Sequence, residues 1–307
     1  MRRSPIRWAA KSLATACLAL SAAGLAGCGD AGDGTGDSTV VALPPGMLPP
    51  PRTNADAPPP AVPFSASTPR VKVSAAAQFP HDTLAYTQGL VVTGTRLLES
   101  TGLERQSDVR EVRRTTGETV QRTPLPARQF GEGIALVGDR LYQLTWRGGQ
   151  GHVYDGATLA RVDSFTYAGE GWGLASDGAR LFLSDGTNRV RVIDPAGFRE
   201  TRTIAVTEGG QPVPMLNELE MVRGELWANV YQTDLIARID TASGAVMGWV
   251  DVGGLLTPRE RLDVVRRGGV ANGIAYDRAR GVLLLTGKLW PKLFEVNERT
   301  VFGPAGR

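Results

Sequence analysis

The chain has 307 residues, 42% of them hydrophobic, with two cysteines and two histidines. That is enough for one sizeable core, whereas two histidines are too few for the usual zinc sites and no Ser-His-Asp spacing is recognisable. The formal charge of +3 includes Arg2, Arg3, Arg7 and Lys11 in a first 27 residues that hold no acid, so the remainder carries −1 and nothing asks for nucleic acid or an anionic membrane surface.

Residues 1–27 read as a basic stretch, an apolar run from Leu13 to Leu25 and a small-residue cleavage site. This is the pattern of a secretory signal peptide, the run being too short for a spanning helix. Leu25-Ala26-Gly27-Cys28 resembles a bacterial lipobox. That implies cleavage before Cys28, acylation of its sulfur, and an extracytoplasmic protein tethered by lipid on the periplasmic side of a bacterial envelope. An ordinary signal peptide with a chance cysteine is the alternative. Cys17 leaves with the signal, so no cysteine remains for a disulfide or thiol chemistry. Residues 28–70 are rich in Gly, Pro, Ala, Asp and Ser. Such a stretch buries too little apolar surface to order itself and reads as a stalk before a folded domain over 71–307.

The domain repeats one unit. Phe130-Gly131-Glu132-Gly133-Ile134 leads through a Gly138-Asp139 turn to Arg140-Leu141-Tyr142-Gln143-Leu144-Thr145-Trp146. Two strands joined by a tight turn bring Glu132 and Trp146 to one edge. Similar pairs start at Gln88, Trp172, Glu218 and Asn272, at steps of 44, 40, 46 and 54 residues. Steps in the forties with four strands per copy are the period of propeller blades. The reading is therefore all-β: a five-bladed β-propeller of four-stranded antiparallel blades. The last copy has three strands, and Val71 to Phe79 is expected to fill its vacancy and close the ring. The connections Thr207 to Asn217 and Gly253 to Ala271 exceed ordinary loop length, and both are expected over the face that carries Glu132.

That topology gathers Gln88, Glu132, Glu170, Trp172, Asn217, Glu218 and Asn272 at the starts of inner strands, and Trp146, Tyr231 and Lys288 at the ends of second strands. One mouth with a few acids, amides, rings and a lysine suits a small molecule or peptide. His81 reads as a structural hydrogen-bonding residue and His152 as an exposed one. Polar residues at blade edges also satisfy backbone groups, so Glu170, Glu218 and Glu220 read as structural, and Trp172 and Lys288 taken alone read as packing and as a solvated charge.

Phe79-Pro80-His81-Asp82, Tyr86-Thr87-Gln88-Gly89-Leu90, Glu99-Ser100-Thr101-Gly102-Leu103, Phe130-Gly131-Glu132-Gly133, Gln143-Leu144-Thr145-Trp146, Glu170-Gly171-Trp172-Gly173-Leu174, Leu216-Asn217-Glu218-Leu219-Glu220 and Thr286-Gly287-Lys288-Leu289-Trp290-Pro291 closely resemble the plant and bacterial glutaminyl-peptide cyclotransferases. The resemblance runs from about 71 to 296. It implies a five-bladed propeller that converts the N-terminal glutamine of peptides or proteins to pyroglutamate with release of ammonia and without catalytic zinc; separately, a monomer is expected. No cofactor is required by it, and a structural ion in the channel is left open. By the resemblance Glu132 matches the catalytic acid/base, and Gln88, Trp146, Trp172, Asn217 and Lys288 match other pocket positions. Tyr86 and Phe130, in the same motifs, join the substrate-binding set. Tyr231 stands where the family more often has tryptophan. In such a site Glu132 would shuttle the proton, Lys288 or Asn217 would stabilise an oxyanion, and Trp146, Trp172 and Tyr231 would hold the glutamine folded back on its amine. Two other readings stand beside it: a catalytically silent propeller that binds peptides or partner proteins, and a metal-dependent lactonase-type hydrolase with carboxylates converging on an ion.

Overall fold

In the first two repeats the innermost strand is buried along most of its length, while the outermost is largely exposed. Thr87–Thr93 and Gly131–Val137 are buried over their first five residues, and Thr119–Pro124 and Arg161–Thr166 are largely exposed. That gradient is what apolar-rich strands followed by polar ones produce when sheets pack face to face about an axis. The computed structural model describes residues 61–303, and in it five antiparallel sheets form the blades. Blades one and two continue through Arg96–Thr101 and Asp108–Val112, and through Arg140–Thr145 and Gln150–Asp155. Blade three is Leu174–Ser176, Leu181–Ser184, Arg189–Asp194 and Arg199–Ala205; blade four is Leu216–Val222, Glu225–Val230, Leu235–Ile239 and Val246–Asp251. Ala271–Asp277, Val282–Gly287 and Lys292–Asn297 belong to blade five. The core lies between neighbouring sheets, with Trp227, Trp249, Tyr154 and Phe182 among its largest fully buried side chains.

The chain ahead of blade one differs from the single strand expected over 71–79. Ala77–Pro80 pairs antiparallel with Lys292–Asn297 as the fourth strand of blade five. Arg70–Lys72 instead pairs in parallel with Val246–Asp251, making blade four five-stranded. The change of partner occurs over a few residues: Val73 N donates to Asp251 O, and Ala76 N donates to Glu295 O. Val73 is buried in the cluster shared by blades four and five, which pins the crossing. Upstream, Val62 packs on the blade-four core and Phe64 meets Trp249 edge-on at 5.4 Å. The packed chain thus starts before 71, inside the stretch the composition assigns to the stalk. The signal peptide, Cys28 and the stalk as far as residue 60 lie outside the described residues. Among the described residues no helix is long and apolar enough to cross a membrane.

The long connections do different things. Gly253 to Ala271 contains the helix Pro258–Arg266, whose start is a capping box: Thr257 Oγ1 accepts from Glu260 N, and Glu260 accepts from Thr257 N. Thr207 to Asn217 does not line the mouth, apart from Asn217 itself. It forms the small hairpin Thr207–Glu208 and Gln211–Pro212, and Glu208 Oε1 accepts from Ser65 N at 2.9 Å. This connection fastens the incoming chain.

Four inner strands carry a register shift at one level, between Thr87 and Gly89, Gly131 and Ile134, Leu216 and Leu219, and Ala271 and Ile274. Bulges re-aim side chains, and the residues released here are Gln88, Glu132, Asn217 with Glu218, and Asn272. In blade three the strand begins just beyond Trp172-Gly173. At this level neighbouring inner strands touch: a β-carbon on Gly133 would lie 2.4 Å from Leu174 N, and one on Gly173 1.9 Å from Asn217 O. Blade four alone has a side chain at the glycine position, Glu218. Its carboxyl crosses the channel, accepting from Ile274 N at 2.9 Å and Leu90 N at 3.4 Å. Asn217, not Glu218, is therefore the blade-four counterpart of Glu132.

Candidate active site

A cavity of about 340 Å³ opens at the bulge level. Tyr86, Gln88, Phe130, Glu132, Trp146, Trp172, Asn217, Tyr231 and Lys288 all line it. The nine residues assigned from the sequence to catalysis and substrate binding are thus brought to one place. The hairpin of blade two accounts for the first pair: Trp146 N donates to Phe130 O at 3.0 Å, directly below Glu132 in the chain.

Glu132 is 5% exposed. Burial pushes its carboxyl well above the usual carboxylate range; Lys288 opposes this, and the charge of Glu170 adds to it. Lys288 follows the second strand of blade five and is 1% exposed. Its Nζ donates to Gln88 Oε1 and to Thr87 O and stands 4.7 Å from the centre of the Tyr86 ring. Burial brings its pKa down to about 7, with Glu132 and Glu218 resisting. The acid is held up and the amine held down, so the buried pair is shifted in the direction that favours proton exchange over fixed charge. Asn217 Oδ1 is buried in the cavity wall and has no partner, so it is free to accept from a bound N–H.

Aromatic rings complete the wall as a circuit. Tyr86 meets Phe130 edge-on at 6.0 Å, Phe130 meets Trp146 at 5.9 Å, and Trp172 meets Tyr231 at 5.7 Å. The Tyr86 and Tyr231 side chains share a hydrogen bond. Between the two indoles stands Glu170, which does not line the cavity: its Oε2 accepts from Trp146 Nε1 at 2.9 Å and Trp172 Nε1 at 3.0 Å.

Asn272, expected at the mouth, lies behind it. Its Nδ2 donates to Thr87 O at 2.9 Å and approaches Gln88 Oε1 at 3.4 Å. Glu218 belongs to the channel floor. Glu220 accepts from Tyr276 N at 3.1 Å, so it too serves the backbone. His81 sits in the support layer, with Nδ1 on Trp290 O at 2.8 Å and Nε2 on Glu99 Oε1 at 3.0 Å, while Thr87 Oγ1 donates to the same carboxylate oxygen at 2.7 Å. His152 is not exposed as expected. It lies in the third strand of blade two, buried, with Nε2 on Gln129 Oε1 at 2.6 Å, because that strand is covered on the face that carries it.

Gln232, Val265, Gly268, Gly269 and Val270 also line the cavity; none was named from the sequence, although the Gly253–Ala271 connection was expected over this face. Four of them end the helix of the Gly253–Ala271 connection or follow it, and the Thr257-Pro258-Arg259-Glu260 cap is the signal that would have placed it. Among the described residues no three His, Cys, Asp or Glu side chains come together as a metal site.

Residues 52–297 match the family model of glutamine cyclotransferase. The chain belongs to the glutamine cyclotransferase family. It is 41% identical to the glutaminyl-peptide cyclotransferase of Arabidopsis thaliana over 238 residues, covering 76% of this chain and 74% of the plant protein. The crystal structure of Myxococcus xanthus glutaminyl cyclase superposes with a TM-score of 0.67 at 36% identity, covering 75% of this chain and 97% of that one. Among the described residues, the cavity of this glutamine cyclotransferase is lined by one carboxyl, Glu132, and by no imidazole.

Proposed function

We infer that this chain converts the N-terminal glutamine of peptides or proteins to pyroglutamate and releases ammonia. The observation that carries the mechanism is the buried, raised carboxyl of Glu132 beside Lys288 in a ring of aromatic side chains. In the reaction the α-amine nitrogen bonds to the γ-carbon and the bond from that carbon to the amide nitrogen breaks. The attacking amine sheds one proton and the departing nitrogen gains one. A carboxyl group next to both nitrogens takes the first and gives the second, ending the cycle as it began.

Lys288 Nζ, anchored on Gln88 and the Thr87 carbonyl, faces the developing oxyanion. The unpartnered Oδ1 of Asn217 in the cavity wall accepts from the substrate amine and orients its lone pair. Trp146, Trp172 and Tyr231 hold the side chain folded back, lowering the entropy lost on ring closure. The proton balance closes on Glu132 alone, so we propose that no catalytic metal takes part. We further propose a monomer outside the cytoplasm, tethered through acylated Cys28 by the Pro/Gly-rich stretch that follows it.

The decisive experiment is ammonia release from a Gln-initiated dipeptide. Turnover is expected to survive chelator and to fall at least ~10³-fold in Glu132→Gln, with the thermal midpoint of the variant unchanged. Near-normal turnover in that variant removes Glu132 from its role. Chelator-sensitive lactone hydrolysis in place of ammonia release supports the metal-dependent alternative.

A further inference from the structure

Glu170 does not line the cavity, and its contacts are specific. A single oxygen, Oε2, accepts from Trp146 Nε1 and Trp172 Nε1, the indoles of two different blades. The other oxygen, Oε1, lies 3.6 Å from Arg147 Nε. The Arg147 guanidinium in turn covers the Trp146 ring, 3.6 Å from its centre. Each indole also meets a ring edge-on, Phe130 for Trp146 and Tyr231 for Trp172, contacts that restrict tilt, while both indole N–H groups donate to the Glu170 carboxylate.

We propose that Glu170 is the positioning residue of the substrate cavity, closing the aromatic circuit by fixing Trp146 and Trp172 relative to each other. The inference rests on the cyclotransferase reading only for what the circuit grips. Two walls set independently would leave a bound glutamine several side-chain orientations; two walls tied to one oxygen leave one. Arg147 fixes the tie in place by engaging both the carboxylate and the ring. A second consequence follows from charge: a carboxylate behind the indoles adds to burial in holding the Glu132 proton.

Glu170→Gln and Glu170→Ala separate the two effects. Glutamine keeps a carbonyl oxygen that can accept from both indoles and lacks the charge; alanine lacks both. In Glu170→Ala kcat/KM for a Gln-initiated dipeptide is expected to fall by on the order of tenfold or more. In Glu170→Gln it is expected to stay within about threefold at the optimum, with the Glu132 limb of the pH profile moved to lower pH. Near-ultraviolet circular dichroism reads the indoles directly: alanine should weaken the tryptophan bands, and glutamine should keep them. The proposal is overturned if alanine leaves both kcat/KM and the bands unchanged, or if glutamine is as damaging as alanine to both. If the parent releases no ammonia, the function reading fails, and the dichroism of the two variants still decides the clamp.

Discussion

The carbonyl oxygen of Asn217 lies where a β-carbon on Gly173 would be, 1.9 Å from that position. Contact between blades three and four is therefore backbone against backbone at the level of the site. It also sets the height at which Asn217 and Trp172 enter the cavity.

Gly173→Ala is accordingly expected to disturb the site through the main chain. The nearest atoms, Asn217 O and C and Glu218 Cα, cannot rotate away, so the blades must part. Stability should fall by on the order of 3 kcal/mol, and turnover by about 10²-fold or more through displacement of Asn217. Gly138→Ala is the control. Gly138 has φ +59 in the blade-two turn with open space around it, so alanine there should cost about 1 kcal/mol and leave kcat/KM intact. Equal effects of the two substitutions on turnover would refute the backbone contact as a determinant of the site.

The same contact marks how far the sequence could be read. Blade period, turn chemistry and alternating burial were legible because they repeat, and a repeated unit puts Glu132, Trp172 and Gln88 at one rim without any long-range information. The register inside blade four was not. Glu218 resembles Glu132 in type, but it occupies the position of Gly133, and only the bulge between Leu216 and Leu219 reveals the offset. A carboxylate serving two backbone N–H groups across a channel has no local signature. The split of the first strand was hidden for a related reason: Arg70–Lys72 and Ala77–Pro80 are only three and four residues long, and their partners lie more than 170 residues away. The aromatic Tyr231, read as an exception to the family pattern, keeps its place on the wall through Trp172 and the hydroxyl of Tyr86.

Lys288 should reveal itself in the pH profile as well as in rate. Lys288→Met retains bulk but removes the donor to Gln88 and the positive charge that holds Glu132 down. Turnover is expected to fall on the order of 10²–10³-fold, and the Glu132 limb of what remains should move to higher pH. In the parent, loss of the Lys288 charge should appear as a limb near pH 7. A methionine variant with an unshifted Glu132 limb would break the electrostatic link between the two groups.

The His81–Glu99 pair makes a prediction about stability. Burial pulls the imidazole down, but Glu99 and the Trp290 carbonyl overcome it and hold His81 above 6.5. Burial likewise pushes Glu99 up, and His81, Arg110 and Thr87 bring it below 4.5. A raised histidine contributes fully below its unfolded value and loses that contribution as pH rises through the folded one. A lowered acid contributes fully above its unfolded value and loses that contribution as pH falls through the folded one. The pair is thus fully stabilising between about 4.5 and 6.5. His81→Asn removes the cationic partner of a buried carboxylate that keeps only Thr87 Oγ1 and the more distant Arg110 charge, and should cost up to ~3 kcal/mol inside that window, less at either extreme. A destabilisation that does not vary with pH would show that the pair is not ionised in the folded protein.

The two short strands that precede blade one should differ in weight. A chain beginning at Val73 loses Arg70–Lys72 and the Phe64–Trp249 contact, yet every blade keeps four strands. The loss should be a few kcal/mol, or roughly 2–4 °C in the thermal midpoint for each one. A chain beginning at His81 also loses Ala77–Pro80, leaving the Lys292–Asn297 edge without its partner. An unpaired edge beside three strands templates association, so this shorter chain should melt far lower and run as oligomers by size-exclusion chromatography. Equal melting of the two truncations, both as monomers, would mean that blade five stands without its fourth strand and that the ring is closed by side-chain packing alone.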